Sequence, residues 1–405
     1  MLFLFPLLLM EVSSQLSRNN MNRLIALISV LSLFISCCNE GTGDDKIPVI
    51  VISDLYSPGQ DVGDNFDILT PYALENIDLK AVVFDVTEDF RNPSPQNTIL
   101  RDPGFIVVEQ LNYLFDKQVP CGCGPFDKLR TEDDAKTDVY PYQTRGVDLM
   151  LKILRESDKP VHILSTGSCR PLAVAYNRDP ELMTSKKVAA VHISAGASSD
   201  KFMEWNIALD SLAAARVLKS DMNMVFYPCA TIDGPFARDC NNTFWSLRDL
   251  GFVFDMEPYL RNYTVYQLLS IRRMDYLNYL TQPLSEEDIK LMKARRVDEW
   301  YGSGGCHYVW ETALWQQVAG LKLVEHKDGS ASLLREDQIG EGDRIFEEEL
   351  RYVTVDVQDN GLFSFRYSDK PTNVKIYYRC DAWENERLLN MALPKLYKSY
   401  KSNLK

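Results

Sequence analysis

Residues 161–193, VHILSTGSCRPLAVAYNRDPELMTSKKVAAVHI, decide the fold class. Val161–Leu164 is an apolar run of strand length, Ser165–Cys169 is a turn of small and polar residues, and Leu172–Tyr176 starts a helix. Val188–Ile193 is then a second apolar run. Strand, turn, helix and strand in this order make a parallel βαβ unit, because a parallel neighbour needs a long crossover. The same rhythm extends outward. Val49–Ser53 and Leu79–Phe84 are solid apolar runs, and Phe66–Leu74, Phe105–Phe115 and Val147–Leu154 have helical spacing. Ser211–Leu218 is a strong helix leading into a strand over Met222–Tyr227. Strands that are apolar on both faces belong to sheets covered by helices on both sides. The expectation is therefore an α/β fold with a mostly parallel sheet flanked by helices. Residues 245–300 read as mostly helical and Val309–Val318 as a helix. Tyr352–Tyr378 reads as a small C-terminal strand unit around the turn Asp359-Asn360-Gly361, and Ala382–Tyr400 as a closing helix.

Composition excludes several classes. The 405 residues are 45% hydrophobic and 25% charged, which is globular rather than disordered or fibrous. Lys+Arg 44 against Asp+Glu 57 leaves a net charge of -13, and such an excess of carboxylates repels phosphate backbones. Nucleic acid is not the expected partner. Nine cysteines contain no CxxC pair, which removes zinc-ribbon and thioredoxin-type motifs. Cys121 and Cys123 stand too close in sequence to bridge easily, and the spacing names no other pairing.

The N-terminus reads as an address. Met21-Asn22-Arg23, the apolar run 24–36 and small Ser36 before Cys37 have the anatomy of an export signal, with Met21 the expected start. Phe34-Ile35-Ser36-Cys37 resembles a bacterial lipobox, whose cysteine is acylated. The expected organisation is a signal segment over 1–37, a tether over 38–46 and one domain over 47–405. The expected location is the bacterial cell envelope, held to the membrane by a lipid anchor, where disulfides are permitted. A cleaved secretory signal or a buried helix is the other reading of the same residues.

Ligands of open parallel sheets bind beyond the carboxyl ends of the strands, and four such ends carry chemistry. In Ser53–Asp67, Asp54, Asp61, Asp64 and Asp67 crowd one strand-to-helix turn, which suits Ca²⁺ or Mg²⁺, or else ordinary helix capping by Asp64. In Leu164–Ala173 small residues allow close backbone approach at a helix start, without the glycine spacing and lysine of a phosphate loop. After Ser194-Ala195-Gly196, Glu204-Trp205-Asn206 can grip hydroxyls and stack a ring, or cap a helix. In Gly304–Glu311, His307 sits where a proton donor would, while His162 and His192 lie inside strands as core residues.

In this order the four segments resemble the inosine-uridine-preferring nucleoside hydrolase family, over roughly residues 47–400. The best segments are STGSCRPLAVAYNRDPEL, KVAAVHISAGA and EWNIALDSLAAARVL. The resemblance implies a Rossmann-like sheet of that type and a Ca²⁺-dependent hydrolase of N-glycosidic bonds in nucleosides or related ribosides. It implies Asp61 as the base that activates water and touches the metal, with Asp64 and the Thr166 carbonyl as metal ligands. Asp54 matches the acid ending the first strand, Glu204 and Asn206 the ribose-binding pair, and His307 the leaving-group acid. Departures are Gly63 in place of an aspartate and Tyr308 in place of another, with Glu311 one helical turn along and Ser198 near a sugar-binding position. Fewer acids weaken a calcium site. The alternative reading is thus a non-catalytic sugar- or nucleoside-binding envelope lipoprotein that has lost its metal. Either way the expected partners are a small nucleoside or riboside and the membrane, with self-association also open.

Overall fold

The computed structural model describes residues 46–57, 62–87, 101–295 and 307–404, and one compact unit spans Ile47–Lys405. The calls on the export signal, the lipobox and Asp61 lie outside the described residues.

The first strand, β1 (Ile47–Ser53), is buried along nearly its whole length and leads to α1 (Val62–Ala73), then β2 (Ile77–Phe84). Helix α2 (Phe105–Phe115) precedes the short β3 (Cys121–Cys123). Next come α3 (Arg145–Glu156), β4 (Val161–Ser165), α4 (Arg170–Arg178) and β5 (Val188–Ile193). Then follow α5 (Trp205–Leu209), α6 (Ser211–Leu218), β6 (Met224–Phe226) and β7 (Trp245–Leu247). Three helices, α7 (Pro258–Leu268), α8 (Tyr276–Thr281) and α9 (Glu286–Arg295), fill most of the stretch read as helical. The chain continues through β8 (His307–Val309), α10 (Thr312–Ala319) and the hairpin β9 (Leu321–Glu325) and β10 (Ala331–Arg335). It closes with β11 (Glu348–Val357), β12 (Phe363–Tyr367), β13 (Val374–Arg379) and α11 (Ala382–Ser399).

Nine strands form the main sheet in the order β12-β11-β13-β6-β5-β4-β1-β2-β3. From β3 to β13 all neighbours are parallel, and β11 and β12 add an antiparallel edge. The α/β expectation holds, with one correction. The C-terminal strands are not a small separate unit, because Val374–Ile376 pairs in parallel with Met224–Phe226 and extends the central sheet. The hairpin turn falls where expected, with Gly361 at φ 81 and any Cβ there 2.9 Å from the Ser211 carbonyl.

Each sheet face carries its own core. One gathers Ile50, Ile163, Val191 and Phe226 against α3, α4 and α6. The other gathers Val51, Phe84 and Leu164 with α1, α2, α7, α10 and α11. This second face also holds a polar row. His162 Nδ1 lies 3.0 Å from His192 Nε2, and His192 Nδ1 lies 3.1 Å from the Tyr227 hydroxyl. His192 is a core residue as expected while His162 is only partly buried, and burial pushes His192 down to about 3, so it is neutral.

Candidate active site

Strands β1 and β4 are neighbours from which the sheet runs outward in both directions, so their carboxyl ends flank the crevice where such sheets bind ligands. Ile52 stands opposite Ser165, and the Thr166 amide donates to the Ile52 carbonyl at 2.9 Å. The next residues on each side are Asp54, partly exposed, and Gly167. A Cβ on Gly167 would meet Asp85 Oδ2 at 2.7 Å and the Asp54 Cβ at 3.1 Å. Only glycine lets the three strand ends close, and Asp54, Thr166 and Asp85 form one corner.

Asp85, which follows β2, was not singled out in the sequence, although an acid directly after VVF is the same signal as Asp54 after VIS. Its carboxylate accepts from the Ser168 amide at 2.6 Å and the Ser168 hydroxyl at 2.9 Å. Burial raises its pKa, while Arg170 and the Ser168 bonds oppose that rise. Arg170, fully buried, donates through Nε to Asp210 at 2.9 Å and through Nη1 to the carbonyls of Val86, Pro125 and Phe126. Asp210 also takes the amides of Leu129 and Ala213, the latter capping α6. These residues are a structural bolt behind the crevice, and every donor and acceptor named has its partner.

The third strand end gathers around Glu204. Its carboxylate accepts from the amides of Gly196 at 2.7 Å, Asn206 at 3.0 Å and Ile207 at 3.4 Å, capping α5 and fastening the turn after β5. Burial nonetheless pushes Glu204 up to about 7, against the pull of those amides. Asn206 donates its side-chain amide to the Ser194 carbonyl at 3.1 Å. The capping reading of this segment therefore describes the geometry, with Trp205 exposed at the surface beside it. Cys229, at the end of β6, lies 3.4 Å from the Ser194 hydroxyl. Burial pushes its thiol well up, and the carboxylates of Glu204, Glu311 and Asp54 around it push the same way.

Glu311 reaches this cluster from the other side, 3.5 Å from the Ser194 hydroxyl, and is buried. His307 corrects the sequence reading. It does not stand at the start of a helix but in β8, where His307 pairs with Leu247 and Val309 with Trp245. The helix begins later, at Thr312. The alternation of a strand separates His307 from Tyr308, whose ring packs on Phe236 at 4.4 Å and faces Phe244 and Trp310. Strand β8 packs against α1, whose first turn holds Asp64.

Asp54, Asp64 and the Thr166 carbonyl are oxygen donors, the type a hard cation takes. Among the described residues no group of three His, Cys, Asp or Glu side chains stands ready to hold a metal. Asp61 is not among them.

These features define a class: an α/β protein with polar, acid-bearing turns at the switch point of a parallel sheet. The family model "Inosine-uridine preferring nucleoside hydrolase" matches residues 109–268, and over that stretch the chain is similar to that family. The pyrimidine-specific ribonucleoside hydrolase RihA of Salmonella dublin is 29% identical over 199 residues, covering 44% of this chain and 59% of that one. The protein of the same name from Escherichia coli O1:K1 is 28% identical over the same length. The chain thus spans about three-fifths of the length of the curated relatives it matches. A plant nucleoside hydrolase structure, PpNRh1, covers 85% of this chain and 98% of its own at 16% identity and a TM-score of 0.48. An inosine-guanosine nucleoside hydrolase covers 88% and 99% at 14% identity and a TM-score of 0.47.

Proposed function

We propose that the chain hydrolyses the N-glycosidic bond of nucleosides or related ribosides with the help of Ca²⁺. The observation that carries this reading is the family match over 109–268, a span that holds Thr166, Glu204 and Asn206 at successive strand ends. Asp61, Asp64 and the Thr166 carbonyl would hold the cation, with Asp54 beside them. When bound, Ca²⁺ would make water more acidic and grip vicinal hydroxyls. Asp61 accepts the proton of the attacking water, and Glu204 with Asn206 orients the ribose. His307 gives its proton to the departing base, and the buried walls around Cys229 and Ser194 keep bulk water from the reacting carbon. Glu311, facing Ser194, supplies the acid that Tyr308 does not. The same reading makes residues 1–37 a lipobox signal and 38–46 a tether, holding the domain in the bacterial cell envelope, periplasmic or surface-facing, by a lipid anchor.

Asp61→Asn tests the reading. A fall in nucleoside turnover of about 10²–10⁴-fold with an unchanged melting curve is expected. Undiminished turnover overturns it. Nucleoside binding with neither turnover nor calcium uptake at millimolar Ca²⁺ moves the assignment to a binding protein.

A further inference from the structure

Among the described residues six cysteines are unbridged, and two of them, 140 positions apart, meet at one corner of the fold. The Cys240 thiol lies 3.8 Å from the carbonyl oxygen of Cys380. Cys380 is exposed and Cys240 partly so, whereas Cys123, Cys169 and Cys229 are buried. The backbones on either side are fastened to each other. The Arg379 amide donates to the Cys240 carbonyl at 2.8 Å, and Asn241 Nδ2 donates to the Tyr377 carbonyl at 2.9 Å. The buried Arg379 guanidinium adds bonds to the Asp239 carbonyl at 3.2 Å, the Asn242 side chain at 2.9 Å and the Phe244 carbonyl at 3.0 Å.

A carbonyl oxygen stands about 2.4 Å from its own Cα by covalent geometry. The Cys240 sulfur is therefore at most roughly 6 Å from the Cys380 Cα, and side-chain rotation at Cys380 is what would carry its sulfur across the remaining gap. Cys380, being exposed, has room for that rotation.

We infer that Cys240 and Cys380 are a disulfide pair, closed by thiol–disulfide exchange with a disulfide-bearing oxidant. One cysteine thiolate attacks the oxidant's S–S bond and expels a thiol, forming a mixed disulfide. The second thiolate attacks the protein sulfur of that bond and expels the other thiol. The two cysteines lose two electrons and two protons, and the oxidant leaves as two thiols. The bridge closes a loop of 140 residues and clamps the segment carrying Phe236, Arg238 and Asp239 to the end of β13. Asp239 accepts the Ser198 hydroxyl, so the clamped segment also supports the turn beside the crevice. The pairing is independent of the proposed catalysis.

The test uses the full domain equilibrated with reduced and then with oxidised glutathione, alkylated and mapped by mass spectrometry. Expected is a peptide linking Cys240 to Cys380 in the oxidised sample, lighter by two hydrogens than its separated halves. The oxidised protein should also melt several degrees above the reduced one, and Cys380→Ser should abolish that difference. Both thiols still alkylated after oxidation, or either one bridged to a different cysteine, overturns the pairing. The map needs no variant, so a Cys380→Ser protein that misfolds does not weaken the result.

Discussion

Two sides of one crevice differ in how they are built. The turns after β4 and β5 are over-determined: Arg170, Asp210, Ser168 and Glu204 are buried, and their polar atoms are engaged by backbone amides and carbonyls. The turn after β1 and the strand β8 carry Asp54, Asp64 and His307 on elements that are far apart in sequence and meet only through packing. The first side lies within the family match and the second outside it. Rigid polar support is costly to change, because removing one member leaves a buried group without a partner. The partly exposed Asp54 and Asp64 can change at little cost to stability, and Gly63 and Tyr308, both buried, stand on that second side.

This contrast can be broken by mutation, beginning with the heaviest member. Asp210→Ala leaves Arg170 buried and uncompensated and should cost about 3–5 kcal/mol in a urea melt. A loss under about 1 kcal/mol would show that the bolt is not what holds the crevice. Next is Gly167→Ala, whose methyl must displace Asp85 and Asp54, at about 1–3 kcal/mol. Wild-type stability there would mean that the three strand ends are looser than their geometry.

Glu204 gives a pH signature. Its folded pKa of about 7 exceeds the ordinary carboxylate value of 4.5, so the folded chain holds that proton more tightly than the unfolded one. Its contribution is full below about pH 4.5 and is lost as pH rises through 7. Melting temperatures of Glu204→Gln should decline less than wild type over that window, the remaining slope coming from Glu348, also pushed up to about 7 by burial. Identical slopes would show Glu204 to be ionised without cost. The smallest stability effect is expected from Asp64→Ala, about 0.5 kcal/mol for a carboxylate in the first turn of α1. The same variant should lose most calcium binding by calorimetry. Retained calcium affinity would remove Asp64 from the ligand set.

The βαβ rhythm, β5, α2 and α6 were legible with their limits, because apolar runs on both faces and Ala-rich helical spacing leave few alternatives. The short strands β3, β7 and β8 were not, since three residues carry no periodicity and pair only because a neighbour offers its backbone. Asp85 and Arg170 were passed over for a related reason. An acid after a strand and an arginine at a helix start are common locally, and their 0–1% exposure is known only once three strand ends converge on them.

Sequence by itself therefore determined the α/β class, the family resemblance and the strand ends at which the candidate residues stand. Local periodicity and turn chemistry act over a few residues and survive divergence. Tertiary structure alone decided that Val374–Arg379 joins the central sheet, that Glu204 spends its carboxylate on backbone amides, and that Cys240 meets Cys380. Each of these is a contact between distant segments, and long-range packing rather than local propensity sets which of them form.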